Sequence, residues 1–553
     1  MNAEKLLYAL GDIGDDLIGQ AEDRRPARRT ALKWTAAAAG LLLAAGLGIW
    51  GVRLLPFFGG ATAGAGGAGH GGEGAESSSS VFMSYGGPVF PLDVLEETPG
   101  LSASRELLYD FSPWDPVWVS NEQQLAERND LTPEERREYE EDLQRWFPEG
   151  GYEQTSTDLL VTDRYTLENS SGQEAAVTAV YPFTGSFQNL SELTPEILTN
   201  GRGAGAELLA GGYSSGFAGA VGGEEDSEER LNLQNLDSWV GYWNLLKSGE
   251  YREDALREKD FGQLPVTVYK FDAWSAPHEE YPAATQAISF TVDAEKTRVL
   301  TYGFEGLEWD SDTGFQRHSY FVPDGMRRST ETKLLAVVGE DIGQYALQGY
   351  QNGGCEAGEE IDGVSCTVTR YESTLRELLE SLTEEYLREY TDDSRGKIVE
   401  QQRIFDLYVN AEEELLRRYG LLSENGAERY DTGRLEDVIS ETGSQQRVFY
   451  QAFKVTVPAG GSTEVAARMT KYASYDFYCS GSENRGIYGY DMVTQLGSGL
   501  AFGQIEAQLL HTEQLEIVRQ NYGFDLGSGI TRVSIDPAQQ HCYLEVRRAQ
   551  RGD

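Results

Sequence analysis

Residues 158–183 read DLLVTDRYTLENSSGQEAAVTAVYPF. The first eleven are rich in Leu, Val, Thr and Tyr, side chains that suit a pleated, half-buried surface. Ser170-Ser171-Gly172 then supplies a turn, and residues 175–183 return as a second strand, so the stretch reads as a hairpin. The same rhythm extends outward. Residues 196–209 read as another hairpin around Asn200-Gly201, and 265–271, 287–292 and 298–304 continue the series. Short strands separated by turn signals predict an antiparallel sandwich.

Helices interrupt this pattern. Thr132-Pro133-Glu134-Glu135 is a capping box with Pro at the first helical position, opening a helix that ends before Pro148. Residues 239–259 also read as helical. Thr374 to Glu377 is a second capping box, followed by an apolar stripe of Leu375, Leu378, Leu379, Leu382, Tyr386 and Tyr390. Residues 398–419 repeat the stripe with Ile404, Phe405, Tyr408, Leu415 and Leu416, and Gly420 stops it. An antiparallel helical hairpin joined at 392–396 is expected. In 447–457, Phe449, Phe453, Val455 and Val457 share one face while Lys454 and Thr456 point away. With strands expected at 464–469, 475–479, 515–519, 530–535 and 542–546, the last part reads as a small immunoglobulin-like or fibronectin-like sandwich.

The N-terminal part differs in kind. No residue from Trp34 to Val52 is charged, and as a helix that run is ~28 Å long, close to the ~30 Å hydrocarbon core. Trp34 and Trp50 sit near its ends, where amphipathic rings favour the interface. Arg24, Arg25, Arg28, Arg29 and Lys33 precede it, which keeps the N-terminus in the cytoplasm and places the chain beyond Phe58 outside. A cleaved signal peptide competes with this reading, but the charged leader and the apolar run are long for one. The expected organisation is a cytoplasmic stub at 1–33, a transmembrane helix at 34–58 and a Gly/Ala/Ser-rich linker at 59–80. A first exported domain with a β-sandwich and helices comes next at 81–330, then a mixed segment with the helical hairpin at 331–445, and a C-terminal β-sandwich at 446–553. The fold class is α+β, mainly antiparallel β.

Charge narrows the function. The 553 residues carry 46 Lys+Arg against 90 Asp+Glu, a formal net charge of -44. Nucleic acid is therefore excluded as a partner, because a phosphate backbone must be met by a clustered positive field. An acidic exterior likewise resists anionic wall polymers and lipid headgroups. In the stub, Leu6, Leu10, Ile13 and Leu17 fall at helical spacing within residues 4–20, with acidic residues on the other face. A docking peptide for a cytoplasmic regulator and a membrane-surface helix both fit this stripe.

Leu6 to Ile18, followed by Arg/Lys and one span, resembles the start of single-pass membrane proteins of Gram-positive bacteria. Some of these resemble anti-sigma-type regulators encoded beside extracytoplasmic-function sigma factors. The VTDRYTLEN and VYPF segments, and the DFYCSG and GYDMVTQLG segments near the C-terminus, are similar to surface proteins of that kind. The resemblance implies a large exported ectodomain and a regulatory stub. The stub has neither His nor Cys, so the zinc site of many anti-sigma domains is not implied.

Catalytic signatures are weak. Gly212-Tyr213-Ser214-Ser215-Gly216 matches the nucleophile-elbow pattern, but the residues after it form a poor helix, and the candidate bases His278, His318, His511 and His541 have no marked context. Asp310-Ser311-Asp312-Thr313-Gly314 starts like a calcium loop, then offers Phe315 and Phe321 where Gly and Glu belong. It reads as a β-turn. No catalytic residue, metal ligand or cofactor is assigned. Cys355, Cys366, Cys479 and Cys542 would lie outside the membrane, where disulfides 355–366 and 479–542 and buried free thiols are both open. The leading expectation is a noncatalytic, membrane-anchored binding or sensing ectodomain of unknown ligand. An exported hydrolase acting on wall or polysaccharide material and a surface spacer are the alternatives.

Overall fold

The computed structural model describes residues 87–549, apart from 129–130, 214–254, 256–260, 324–331, 390–397, 424–432, 477–485 and 496–497. The stub, the apolar run at 34–58, the linker and the residues expected to be helical at 239–259, save Ala255, thus lie outside the described residues. Among the described residues no helix is long and apolar enough to cross a membrane. The chain is mainly antiparallel β with few helices, as expected.

The 158–183 stretch forms its two strands, Leu159–Asn169 and Ala175–Gly185, but they do not pair with each other. Leu159–Asn169 sits in a seven-stranded sheet and Ala175–Gly185 in a four-stranded one. The turn therefore carries the chain from one sheet to another, as an arch. Arg447–Val457 and Ser462–Lys471 do the same around Pro458-Ala459-Gly460-Gly461. The two arches lie side by side. Leu159–Asn169 pairs with Ser462–Lys471 in one sheet, and Ala175–Gly185 pairs with Arg447–Val457 in the other. Their turns touch, with Gly460 N donating to Ser171 O at 3.0 Å and Asn169 N to Gly461 O at 3.0 Å.

This pairing corrects the expected division of the chain. The strands of 446–553 do not build a separate immunoglobulin-like or fibronectin-like sandwich. Arg447–Val457, Ser462–Lys471, Ala501–Leu510 and Arg532–Ile535 join sheets begun by residues 93–213, Ala501–Leu510 pairing in parallel with Leu101–Asp110, while Tyr475–Asp476, Tyr488–Val493, Leu515–Gln520 and His541–Arg548 form a sheet of their own. The seven-stranded sheet runs Arg532–Ile535, Ala501–Leu510, Leu101–Asp110, Leu159–Asn169, Ser462–Lys471, Glu196–Thr199, Arg202–Gly203. Its inner face alternates with a polar outer one, on which Glu106 joins Arg164 at 2.7 Å and Arg532 at 2.8 Å. Opposite it lie the four-stranded sheet of the arches and a second four-stranded sheet containing Tyr488–Val493, His541–Arg548 and Leu515–Gln520. Residues 89–94 stitch these two together, since Val89 bridges Met492 and Asp93–Val94 pairs with Ala175–Gly185.

The hairpin around Asn200-Gly201 is present but short, joining Glu196–Thr199 to Arg202–Gly203. Both turn residues have positive φ, 48° and 73°, which Asn and Gly tolerate best. Glu207–Tyr213 then leaves for the four-stranded sheet instead of extending the hairpin.

A second sandwich is inserted between the two halves of the first. It uses only residues 265–374, in sheets of four and five strands packed through Phe271, Ile288, Phe290, Tyr320 and Leu335. The boundary expected at 330 falls inside it. The capping box at Thr374 then opens the Leu375–Glu389 helix, with Glu377 N donating to Thr374 Oγ1 at 3.2 Å. That helix packs with Gln402–Glu414 and Leu435–Ser444 in a layer between the sandwiches. On one side the layer meets Val266, Val268, Leu300 and Leu334 of the insert, and on the other Phe183, Phe187 and Phe449 of the first sandwich.

Candidate binding surface

In the five-stranded sheet of the insert, cross-strand register aligns Leu307, His318, Ile288 and Leu347 in one row. The next row holds Trp309, Gln316, Phe290 and Tyr345. Both rows face the four-stranded sheet, which covers their middles, so Ile288, Phe290 and His318 are buried. The ends emerge: Leu307 is 52% exposed, Trp309 58%, Tyr345 39% and Leu347 38%. Tyr345 rests edge-on against Tyr269 of the facing sheet, ring centroids 5.8 Å apart. Gly306–Asp310 is the last strand of its sheet, so Leu307 and Trp309 stand on an open edge. Apolar area left in water forgoes about 25 cal/mol per Å² of stabilisation, which makes this edge the candidate contact surface. Glu308, between them, points to the other face and pairs with Arg317 at 2.6 Å.

A smaller exposed group, Val117, Trp118 and Trp146, sits on the excursion between Leu101–Asp110 and Leu159–Asn169. There Val117–Ser120 pairs with Gly151–Gln154, and two helices, Asn121–Glu127 and Pro133–Trp146, fill the connection. The capping box at Thr132 opens the second helix as expected.

Among the described residues the sequence candidates His318, His511, His541 and Asp310 do not converge on one site. Ser214 lies outside the described residues, although the Glu207–Tyr213 strand leads into it. His318 is stacked on Phe290 in the core of the insert, where burial pushes it down to about 4. His511 is on the surface of the first sandwich, 2.6 Å from Asp110, whose hydrogen bond raises its basicity. His541 contacts Asp491 at 2.9 Å on another sheet. The 310–314 loop is a hairpin turn, with Asp310 Oδ1 accepting from Asp312 N at 2.9 Å and Thr313 N at 3.3 Å. Gly314 has φ +73°, and a Cβ there would lie 2.0 Å from Val292 O, so glycine is required. Among the described residues no cluster of His, Cys, Asp and Glu could hold a metal ion.

For the cysteines, the sequence leaves disulfides and free thiols both open. Cys355, Cys366 and Cys542 are free thiols, and Cys479 lies outside the described residues. Cys355 packs with Ala287 and Tyr350 on the outer face of the five-stranded sheet, whereas Cys366 packs against the core between the sheets. The intervening turn thus leaves the two sulfurs on opposite faces. Burial pushes the Cys542 thiol up to about 12, which suppresses its reactivity. Leu6, Leu10, Ile13 and Leu17 also fall outside the described residues.

An open cleft of ≈ 960 Å³ runs along Leu515–Gln520. Glu516 pairs there with Arg547 at 2.8 Å and Arg519 with Glu545, and Asp525 accepts from the Ser528 hydroxyl at 2.7 Å. Comparison with protein-family models, with curated proteins and with solved structures finds no match.

Three features escaped sequence reasoning: the Leu307/Trp309 edge, a buried Arg105–Asp163 pair and a buried Glu412. The first carried a signal, because GLEWD and FQRHSYF flank a turn, as the strands of a hairpin do.

Proposed function

We propose that this chain is a membrane-anchored, extracytoplasmic binding or sensing protein, noncatalytic, whose contact surface is the edge carrying Leu307 and Trp309. The exposure of those two side chains on an open edge strand is the observation that carries the reading. The anchor is the charge-free run from Trp34 to Val52, held N-in by the five basic residues before it. A net charge of -44 favours an uncharged ligand over an anionic polymer. The exposed ring of Trp309, on the edge strand, offers an apolar plane to such a ligand. Leu6, Leu10, Ile13 and Leu17 supply a cytoplasmic docking stripe that relays state to a regulator.

Two measurements test this. Protease added to intact, wall-stripped cells should leave a protected fragment of about 55 residues, the span plus its stub. Full protection of the large region would refute the topology. Purified full chain should co-sediment with cell-wall sacculi stripped of anionic polymers. Trp309→Ala with Leu307→Ser should weaken that binding roughly thirty-fold or more, while the circular dichroism spectrum stays unchanged. Equal sedimentation of variant and wild type, or none by wild type, rejects the surface.

A further inference from the structure

Glu412, Glu413 and Glu414 are consecutive and all buried, at the end of the Gln402–Glu414 helix and just before a π-helical turn, Leu415–Tyr419. Three successive helical residues fan over roughly 200°, so each of these carboxyls meets a different neighbour. Glu413 accepts from Arg417 at 2.7 Å. Glu414 pairs with Arg447 at 3.4 Å and Arg418 at 3.7 Å. Among the described residues Glu412 has no such cation in contact. Both its carboxyl oxygens lie 2.8 Å from Thr383 Oγ1, on the facing Leu375–Glu389 helix. A single hydroxyl has one proton to donate, too little to hold a fully buried carboxylate in its ionised form. Burial pushes Glu412 up to about 8, with Thr383 and the field of Arg376 opposing it.

We propose that Glu412 is a proton-operated latch of the helical layer: as a neutral acid it lets the Leu375–Glu389 and Gln402–Glu414 helices close, and loss of its proton favours their separation. Because that layer packs against both sandwiches, the latch sets how firmly they are joined. The inference goes beyond the binding reading and does not rest on it.

The surrounding charges are engaged elsewhere. On the facing helix Arg376 bonds Glu380 and Asn410. On the Glu207–Tyr213 strand, Glu207 pairs with Arg403. On the Leu435–Ser444 helix, Asp437 pairs with Arg434, and Glu436 accepts from Gly303 N. Glu436 and Asp437 are themselves raised by burial, and buried Lys333 is lowered by it, so wild type alone would mix several titrations. The difference between wild type and Glu412→Gln isolates one.

The sign comes from linkage. In the closed layer Glu412 keeps its proton up to about 8, whereas exposed to water it returns to the ordinary glutamate range. Opening therefore releases a proton and grows about tenfold per pH unit between those values, then levels off. Acid closes the layer.

Hydrogen exchange on the full chain reads this directly. In wild type, protection of amides in both helices, corrected for intrinsic exchange, should fall about tenfold per pH unit from about pH 6 to about pH 8. In Glu412→Gln the fall should be far shallower, only the titration of Glu436, Asp437 and Lys333 remaining, and Thr383→Ser, which keeps the hydroxyl, should retain the wild-type slope. An infrared band of neutral carboxyl at neutral pH should be present in wild type and weaker in Glu412→Gln. If Glu412→Gln does not fold, the wild-type band decides by its titration midpoint, which should lie near 8. A flat wild-type profile, an unchanged slope in Glu412→Gln, or a midpoint in the ordinary glutamate range overturns the latch.

Discussion

Arg105→Ala should lower the stability of the full chain by about 3–5 kcal/mol, measured as a shift in its denaturant midpoint. Arg105 reaches inward from Leu101–Asp110, fully buried, and grips Asp163 on the next strand through Nε at 2.9 Å and an η nitrogen at 2.8 Å. Its other donors meet the carbonyls of Phe90 at 3.1 Å and Val493 at 2.7 Å. Those carbonyls belong to the seam where two sheets of the opposite layer are stitched together. Asp163 also accepts from Tyr165 at 2.6 Å and Tyr181 at 3.0 Å, and Leu92 N donates to the Tyr165 hydroxyl at 3.0 Å. Burial alone would weaken the guanidinium's hold on its proton, but the field of Asp163 more than offsets that. Removing the arginine strands a carboxylate in the core. Arg105→Met with Asp163→Leu should recover part of the loss, because no charge is then left buried. A single-variant loss below about 1 kcal/mol would mean that water enters the seam and replaces the pair.

Trp114→Ala should cost a similar amount, about 3–5 kcal/mol. This indole is buried where the chain leaves the seven-stranded sheet. Its ring meets Phe111 edge-on at 5.5 Å and Tyr488 at 6.1 Å, with the Arg548 guanidinium over it at 5.5 Å. Phe111 in turn meets Tyr490 at 6.0 Å. The cluster fastens Tyr488–Val493 and His541–Arg548 to the end of Leu101–Asp110, so the cavity would open at a junction of sheets. Trp114→Phe keeps two of the ring contacts and should lose less. Equal losses for Phe and Ala, in the same denaturation measurement, would show that the indole's size is not what matters.

Local signals were legible where one residue type has one physical use. The capping boxes at Thr132 and Thr374 and the Asn200-Gly201 turn are where the sequence reading places them. The alternation of Phe453, Val455 and Val457 against Lys454 and Thr456 is realised in full. Leu101–Asp110 was not legible, because its inward positions, Leu101, Ala103, Arg105, Leu107 and Tyr109, include a charge at the centre. The arginine that anchors the core is also what breaks the apolar alternation. Ala501–Leu510 was hidden by a bulge, because its register shifts between Phe502 and Gln504, so that Phe502 and Ile505 are buried three residues apart and break the period of two. The arches were invisible for another reason. Ser170-Ser171-Gly172 marks a reversal of the chain, but turn chemistry does not say whether the returning strand joins the same sheet or the opposite one. The open edge at Trp309 was equally hidden, since a strand pattern is the same whether or not the facing sheet extends over it.

The stacked arches also order events in time. At about 5–20 residues per second, a growing chain takes tens of seconds to add Arg447–Val457 and Ser462–Lys471 after Ala175–Gly185 has emerged. Throughout that interval the early strands have half their sheet neighbours unmade, with apolar faces and unpaired backbone open to other chains. The insert has no such delay, because its strands are drawn from one continuous stretch and can close around their own core at once. It can close while the older half still lacks neighbours, and a chain ended before residue 447 would lack the strands that pair with both arms of the first arch.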